Sequence, residues 1–200
     1  MTRLACLSLA LVATLARGGV AVRAQAPTGP TFDCTRAAGK VETLICTDEA
    51  LATLDRRLAD VYAKAIAGSP ANVAATQKAL QRGWIKGRDD CWKSAETKTC
   101  VQREYRSRIA ELQIVSGQVE GLSPVSFRCS GAPAAPVTAT FYNETDPAST
   151  VLTVGTDQVI AFRQPAASGT SYAGSNVDYR EHQGAVTINW FGATLACTRR

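Results

Sequence analysis

The sequence predicts a multi-domain α + β chain: an N-terminal disulfide-bonded helical domain, then a small antiparallel β-domain of sandwich or barrel type. Three observations carry this. Apolar residues recur at helical spacing up to about residue 115 and in strand-like alternation from about residue 125. Gly, Asn and Asp punctuate the second half at short intervals, as antiparallel strands require. Six of the seven cysteines follow an N-terminal export signal, and an even number in an exported chain reads as disulfides.

The signal occupies residues 1–26. Arg3 provides its positive start, Leu4 to Ala16 its apolar stretch, and Ala24-Gln25-Ala26 the small-x-small cleavage site. The apolar stretch is too short to span a bilayer and Arg17 interrupts it. Cleavage near Ala26 predicts a periplasmic or secreted protein and discards Cys6 with the signal.

Residues 27–115 read as helices. A short helical turn through Val41, Leu44 and Ile45 precedes Cys46. Thr47 is placed to cap a helix opening with Asp48 and Glu49, acids that suit the positive end of the helix dipole. Leu51, Leu54, Leu58, Val61, Tyr62 and Ala65 form its apolar stripe, and Gly68-Ser69-Pro70 stops it. A second helix runs from about Asn72 towards Cys91 on Val73, Leu80 and Trp84, weakened by Gly83 and Gly87. A third, from about Lys98 to Ile114, turns Val101, Tyr105, Ile109 and Leu112 inward.

Residues 116–124 contain Ser116-Gly117-Gln118 and Gly121-Leu122-Ser123-Pro124 and read as a linker. Residues 125–200 read as seven strands: 125–129, 137–142, 151–154, 158–163, 177–179, 185–190 and 194–197. Cys129 ends the first and Cys197 lies on the last, so joining them would close nearly the whole domain. Cys34, Cys46, Cys91 and Cys100 pair most simply as neighbours, Cys34–Cys46 and Cys91–Cys100, with crossed pairings left open.

Charge and motifs exclude several functions. Beyond the signal, 19 Lys and Arg face 17 Asp and Glu, so neither half is a basic nucleic-acid surface. His182 is the only histidine and no C-x-x-C is present, which argues against zinc; no cofactor or metal site is expected. No phosphate loop or dinucleotide fingerprint occurs. Ser168, His182 and Asp178 are the ingredients of a nucleophile triad, but Ser168 lies in S-G-T-S-Y rather than a G-x-S-x-G elbow, and no enzyme is predicted.

The first half contains Phe32-Asp33-Cys34, Glu42-x-x-Ile45-Cys46, Leu54-Asp55, Trp84-x-x-x-Arg88-Asp89-x-Cys91 and Tyr105-x-x-Arg108-Ile109, with Tyr62 and Gln77 between them. From Phe32 to Leu112 this resembles the LprI-type lysozyme-inhibitor domain. The plain structural reading makes Trp84 and Tyr105 core residues and pairs Arg88 and Arg108 with Asp55 or Asp89.

The second half contains Phe127-x-Cys129, a strand ending in Phe141-Tyr142-Asn143, Val151-Leu152, Ala167-Ser168-Gly169-x-x-Tyr172 and a terminal Cys197. It resembles the MliC/PliC inhibitors of c-type lysozyme. The resemblance implies a small antiparallel β-barrel whose loop serine, here Ser168, enters the lysozyme cleft. It implies a contact set of Ser168, Gly169, Tyr172, Tyr179 and His182. A second family loop, F-W-x-K-G, brings a lysine about fourteen residues after that serine. In this chain the position holds His182, within Tyr179-Arg180-Glu181-His182-Gln183-Gly184. The expected function is inhibition of lysozyme, with c-type lysozyme as partner. The alternative is a non-inhibitory binding or scaffolding module of the cell envelope.

Overall fold

The computed structural model describes residues 28–131 and 135–200. The expected signal, with Cys6 and the cleavage site near Ala26, lies outside the described residues. Among the described residues no helix is long and apolar enough to cross a membrane.

The first half is helical. A turn of 3-10 helix, Cys34–Arg36, is capped by the Asp33 carboxylate, which accepts from Thr35 N at 2.9 Å. Helix α1 (Lys40–Thr47) follows and buries Val41 and Ile45. Helix α2 (Glu49–Ala67) is capped by Asp48 rather than Thr47: the Asp48 carboxylate accepts from Ala50 N at 3.0 Å and Leu51 N at 3.1 Å. Thr47 is instead the last residue of α1 and bonds back to Thr43 O. A carboxylate is the stronger acceptor, and Asp48 holds the extended backbone a cap requires.

Helix α3 (Ala71–Asp89) departs most from expectation. Val73 and Leu80 are 40% and 48% exposed, not inward. The inner face is Gln77, Gln81, Trp84 and Arg88, spaced at helical intervals. It is polar because its partners on α4 (Thr97–Val115) are polar. Arg108 donates to Gln81 at 3.0 Å and Gln77 at 3.3 Å, and Trp84 Nε1 donates to Glu104 O at 3.3 Å. Arg108 ion-pairs with Glu111 at 2.8 Å rather than with Asp55 or Asp89, whereas Arg88 meets Asp89 at 2.7 Å as expected. Tyr105 is fully buried and Trp84 packs against the same core, where Ile45, Leu51, Val101, Ile109 and Leu112 are fully or almost fully buried.

The segment after α4 is tied at both ends. Gln118 Nε2 donates to Val61 O at 3.1 Å, and Leu122 N donates to Phe141 O at 2.8 Å.

The second half is a closed barrel in which each strand pairs antiparallel with its sequence neighbours. Its strands are β1 (Val125–Ser130), β2 (Val137–Tyr142), β3 (Ser149–Val154), β4 (Asp157–Gln164), β5 (Thr170–Gly174), β6 (Val177–His182), β7 (Ala185–Trp190) and β8 (Ala193–Arg199). The sequence reading lacked β5, whose T-S-Y-A-G offers a single large apolar side chain and no alternation to read. Phe127, Leu152, Ala161, Tyr172, Tyr179, Ile188 and Leu195 fill the interior.

Among the described residues three disulfides join the simple partners: Cys34–Cys46, Cys91–Cys100 and Cys129–Cys197. Cys129 and Cys197 face each other across β1 and β8, the pair that closes the barrel. A bridge spanning 68 residues removes about 4 kcal/mol of chain entropy from the unfolded state; those spanning 12 and 9 remove about 3 kcal/mol each.

Candidate functional site at one end of the barrel

In a barrel of sequential antiparallel strands, alternate connections emerge at the same end. The β2–β3, β4–β5 and β6–β7 connections therefore share one end. The β4–β5 connection is Pro165-Ala166-Ala167-Ser168-Gly169, a loop of small side chains with one hydroxyl near its tip. The β6–β7 connection is Gln183-Gly184, a two-residue turn with both φ values positive, 50° and 83°. That is the hairpin turn whose twist matches paired strands. Glu181 fixes it by accepting from Gly184 N at 3.0 Å.

Gly169 locks the two connections together. Its φ is +70°, and a Cβ built there would lie 2.0 Å from Glu181 O and 3.3 Å from His182 Cα. Only glycine combines that backbone conformation with so close an approach. The contact sets Ser168 beside the end of β6, and both Ser168 and His182 line a concavity of about 360 Å³. Both residues are exposed, and no hydrogen bond among the described residues occupies the Ser168 hydroxyl.

Tyr172 and Tyr179 lie beneath this surface, paired across β5 and β6 and only 3% and 1% exposed. Their ring centroids are 6.0 Å apart, and each lies 5.7 Å from Phe141. They form the aromatic floor of a second opening of about 180 Å³ at this end. Burial pushes the Tyr179 hydroxyl above its ordinary pKa, while Arg199 opposes the shift.

The structure adds residues that the sequence reading passed over. Arg180 is exposed on the outer face of β6 and lines the same concavity as Ser168 and His182. Arg163 lies at the neighbouring opening, its guanidinium carbon 5.6 Å from the Tyr172 ring centroid. Strand parity was the available signal: Arg180 follows the inward Tyr179 and must point out. Among the described residues neither arginine forms an ion pair, and the Glu181 carboxylate lines both openings beside them.

Asp178 does not join Ser168 and His182. It is four residues back along β6, about 13 Å from His182, and lines a separate concavity with Asn176 and Phe191. The triad ingredients are therefore dispersed. Among the described residues no three His, Cys, Asp or Glu side chains gather as a metal site.

Comparison with known proteins divides the chain at the same place. Residues 34–113 match the family model described as lysozyme inhibitor LprI. Residues 127–196 match that of the membrane-bound lysozyme-inhibitor of c-type lysozyme, MliC. Proteins named Lipoprotein LprI from Mycobacterium bovis and Mycobacterium tuberculosis H37Rv are each 37% identical over 169 residues, covering 84% of this chain and 84% of the relative. No solved structure matches the chain.

Proposed function

The chain belongs to the LprI family, and from that premise we propose that it is an exported inhibitor of c-type lysozyme that inserts the Ser168 loop into the enzyme's cleft. One observation carries the reading: an unpartnered serine hydroxyl on a narrow, small-residue loop, locked by Gly169 against β6 within the MliC-matched segment.

The chemistry follows from the target. A retaining lysozyme holds a protonated acid and an ionised carboxylate on either side of the scissile bond. The Ser168 hydroxyl accepts a hydrogen bond from the first and donates one to the second. Pro165, Ala166 and Ala167 add little bulk, so the tip fits a slot shaped for a sugar chain. His182 and Arg180 flank the serine and face the same negative charge. Tyr172 and Tyr179 support the loop from below, and their burial makes them positioning residues.

The inhibitor performs no reaction and needs no cofactor; occlusion of the cleft is the whole effect. The N-terminal signal read from the sequence supports export to the periplasm or outside the cell. Adding the oxidised full-length protein to cell-wall lysis by c-type, g-type and i-type lysozymes tests the reading. Inhibition of the c-type enzyme is expected. Unchanged lysis with all three leaves the envelope-scaffold alternative standing.

A further inference from the structure

The charged and aromatic residues of the helical motif take no part in barrel-based inhibition, yet they converge. Phe32, Glu42, Asp55, Tyr62, Trp84 and Arg88 line one groove of about 320 Å³, with Ile85, 38% exposed, at its edge. Its walls are held firmly. The Trp84 ring stands edge-on to Tyr105 with centroids 5.2 Å apart, and its indole N–H is bonded to α4. The Arg88 guanidinium carbon lies 5.6 Å from both ring centroids.

The charges of the groove do not cancel. Arg88 donates to Asp89 at 3.0 and 2.7 Å and to Tyr105 Oη at 2.8 Å, so its charge is matched by Asp89. Asp55 accepts from Thr31 N and Oγ1 at 2.6 Å and from Tyr105 Oη at 2.8 Å, all neutral donors. Glu42 accepts from Ala38 N through Oε2 at 2.6 Å, and its Oε1 has no partner among the described residues. Neither carboxylate is in an ion pair among the described residues. The groove walled by Phe32, Tyr62 and Trp84 is therefore lined by two carboxylates, Asp55 and Glu42, against one guanidinium, Arg88, which is already paired with Asp89.

We propose that this groove docks a basic side chain, an arginine or lysine, projecting from the surface of a protein partner. A flat or compact cation is attracted to an aromatic face and to a free carboxylate oxygen together. A neutral sugar would leave both acids uncompensated. The alkyl stem of a long basic side chain suits the apolar rim at Ile85. The site is formed by the helical half alone and does not depend on what the Ser168 loop binds.

The test is titration of the oxidised full-length protein with Nα-acetyl-arginine methylamide, followed at the Trp84 indole N–H by NMR. A saturable shift is expected. It should weaken about tenfold or more in Glu42→Gln, which removes the free charged acceptor, and also weaken as salt is raised. Ile85→Lys keeps an exposed position exposed and brings a competing cation to the rim. It should abolish the shift while the rest of the spectrum stays dispersed. Nα-acetyl-norleucine methylamide and N-acetylglucosamine should give no shift. The proposal is overturned if either neutral probe shifts Trp84 equally, if the arginine probe gives no saturable shift, or if both variants bind it like wild type.

Discussion

Replacing Gly169 with alanine tests whether this glycine locks the loop or merely turns it. Two costs act there. A non-glycine residue at φ +70° costs about 1–2 kcal/mol. The added methyl also meets Glu181 O at 2.0 Å, backbone rather than a side chain that can swing aside. Relieving that overlap means prising β5 from β6, an overpacking penalty of about 1–3 kcal/mol. Gly169→Ala should therefore cost about 2–5 kcal/mol of barrel stability, or displace Ser168 and lose inhibition at smaller cost. Gly184 is the internal control: its φ is +83° but a Cβ there meets nothing within 4 Å. Gly184→Ala should cost only the conformational part, about 1–2 kcal/mol. Urea unfolding of both variants, with lysozyme inhibition assayed alongside, separates the two effects. Equal stabilities and equal inhibition by the two variants would refute the locking argument.

Other substitutions probe the remaining parts. Ser168→Ala should weaken lysozyme binding by about 1.5–3 kcal/mol at unchanged stability, because hydrogen bonds to charged groups are lost and two carboxyls stay buried without them; calorimetry that finds a loss below about 0.5 kcal/mol removes Ser168 from the contact. His182→Glu puts a negative charge beside Ser168, facing the lysozyme carboxylates, so it should weaken lysozyme binding; unchanged affinity would place His182 off the interface. Burial, with the neighbouring Asp55 acting the same way, holds the Tyr105 hydroxyl above its ordinary pKa of 10.0. Its neutral form is thus favoured by folding, so its contribution is complete below pH 10 and lost as pH rises beyond it. Tyr105→Phe should lower stability by about 1.5–3 kcal/mol at pH 7, since the hydroxyl joins Asp55 to Arg88, and should flatten the alkaline fall expected in urea midpoints above pH 10.

The parts of the fold set by strong local patterns were legible in the sequence. Helices α2 and α4, both flanked by clear stop signals, lie within a few residues of their expected limits. The barrel strands with alternating large apolar residues were equally clear. The inner face of helix α3 is not legible in the sequence, because apolar periodicity marks the inner side only when that side is apolar, and here Gln77, Gln81 and Arg88 turn inward to bond with α4 and Asp89. Strand β5 was hidden because its ladder to β6 is a matter of register, which a five-residue segment with one large side chain does not announce. Ser168, Gly169 and His182 enter the candidate site through a motif. The reason for Gly169, a backbone contact with Glu181, exists only in three dimensions. Arg180 was overlooked because its neighbours Tyr179 and His182 carried the motif, although strand parity already pointed it outward.

Occlusion of the cleft is tested most directly by competition. Binding of the oxidised full-length protein to a c-type lysozyme is measured with and without a chitooligosaccharide that fills the catalytic cleft. The account predicts mutually exclusive binding: apparent affinity falls in proportion to oligosaccharide occupancy, and lysis inhibition is competitive with substrate. Undiminished binding to lysozyme already saturated with the oligosaccharide would contradict it.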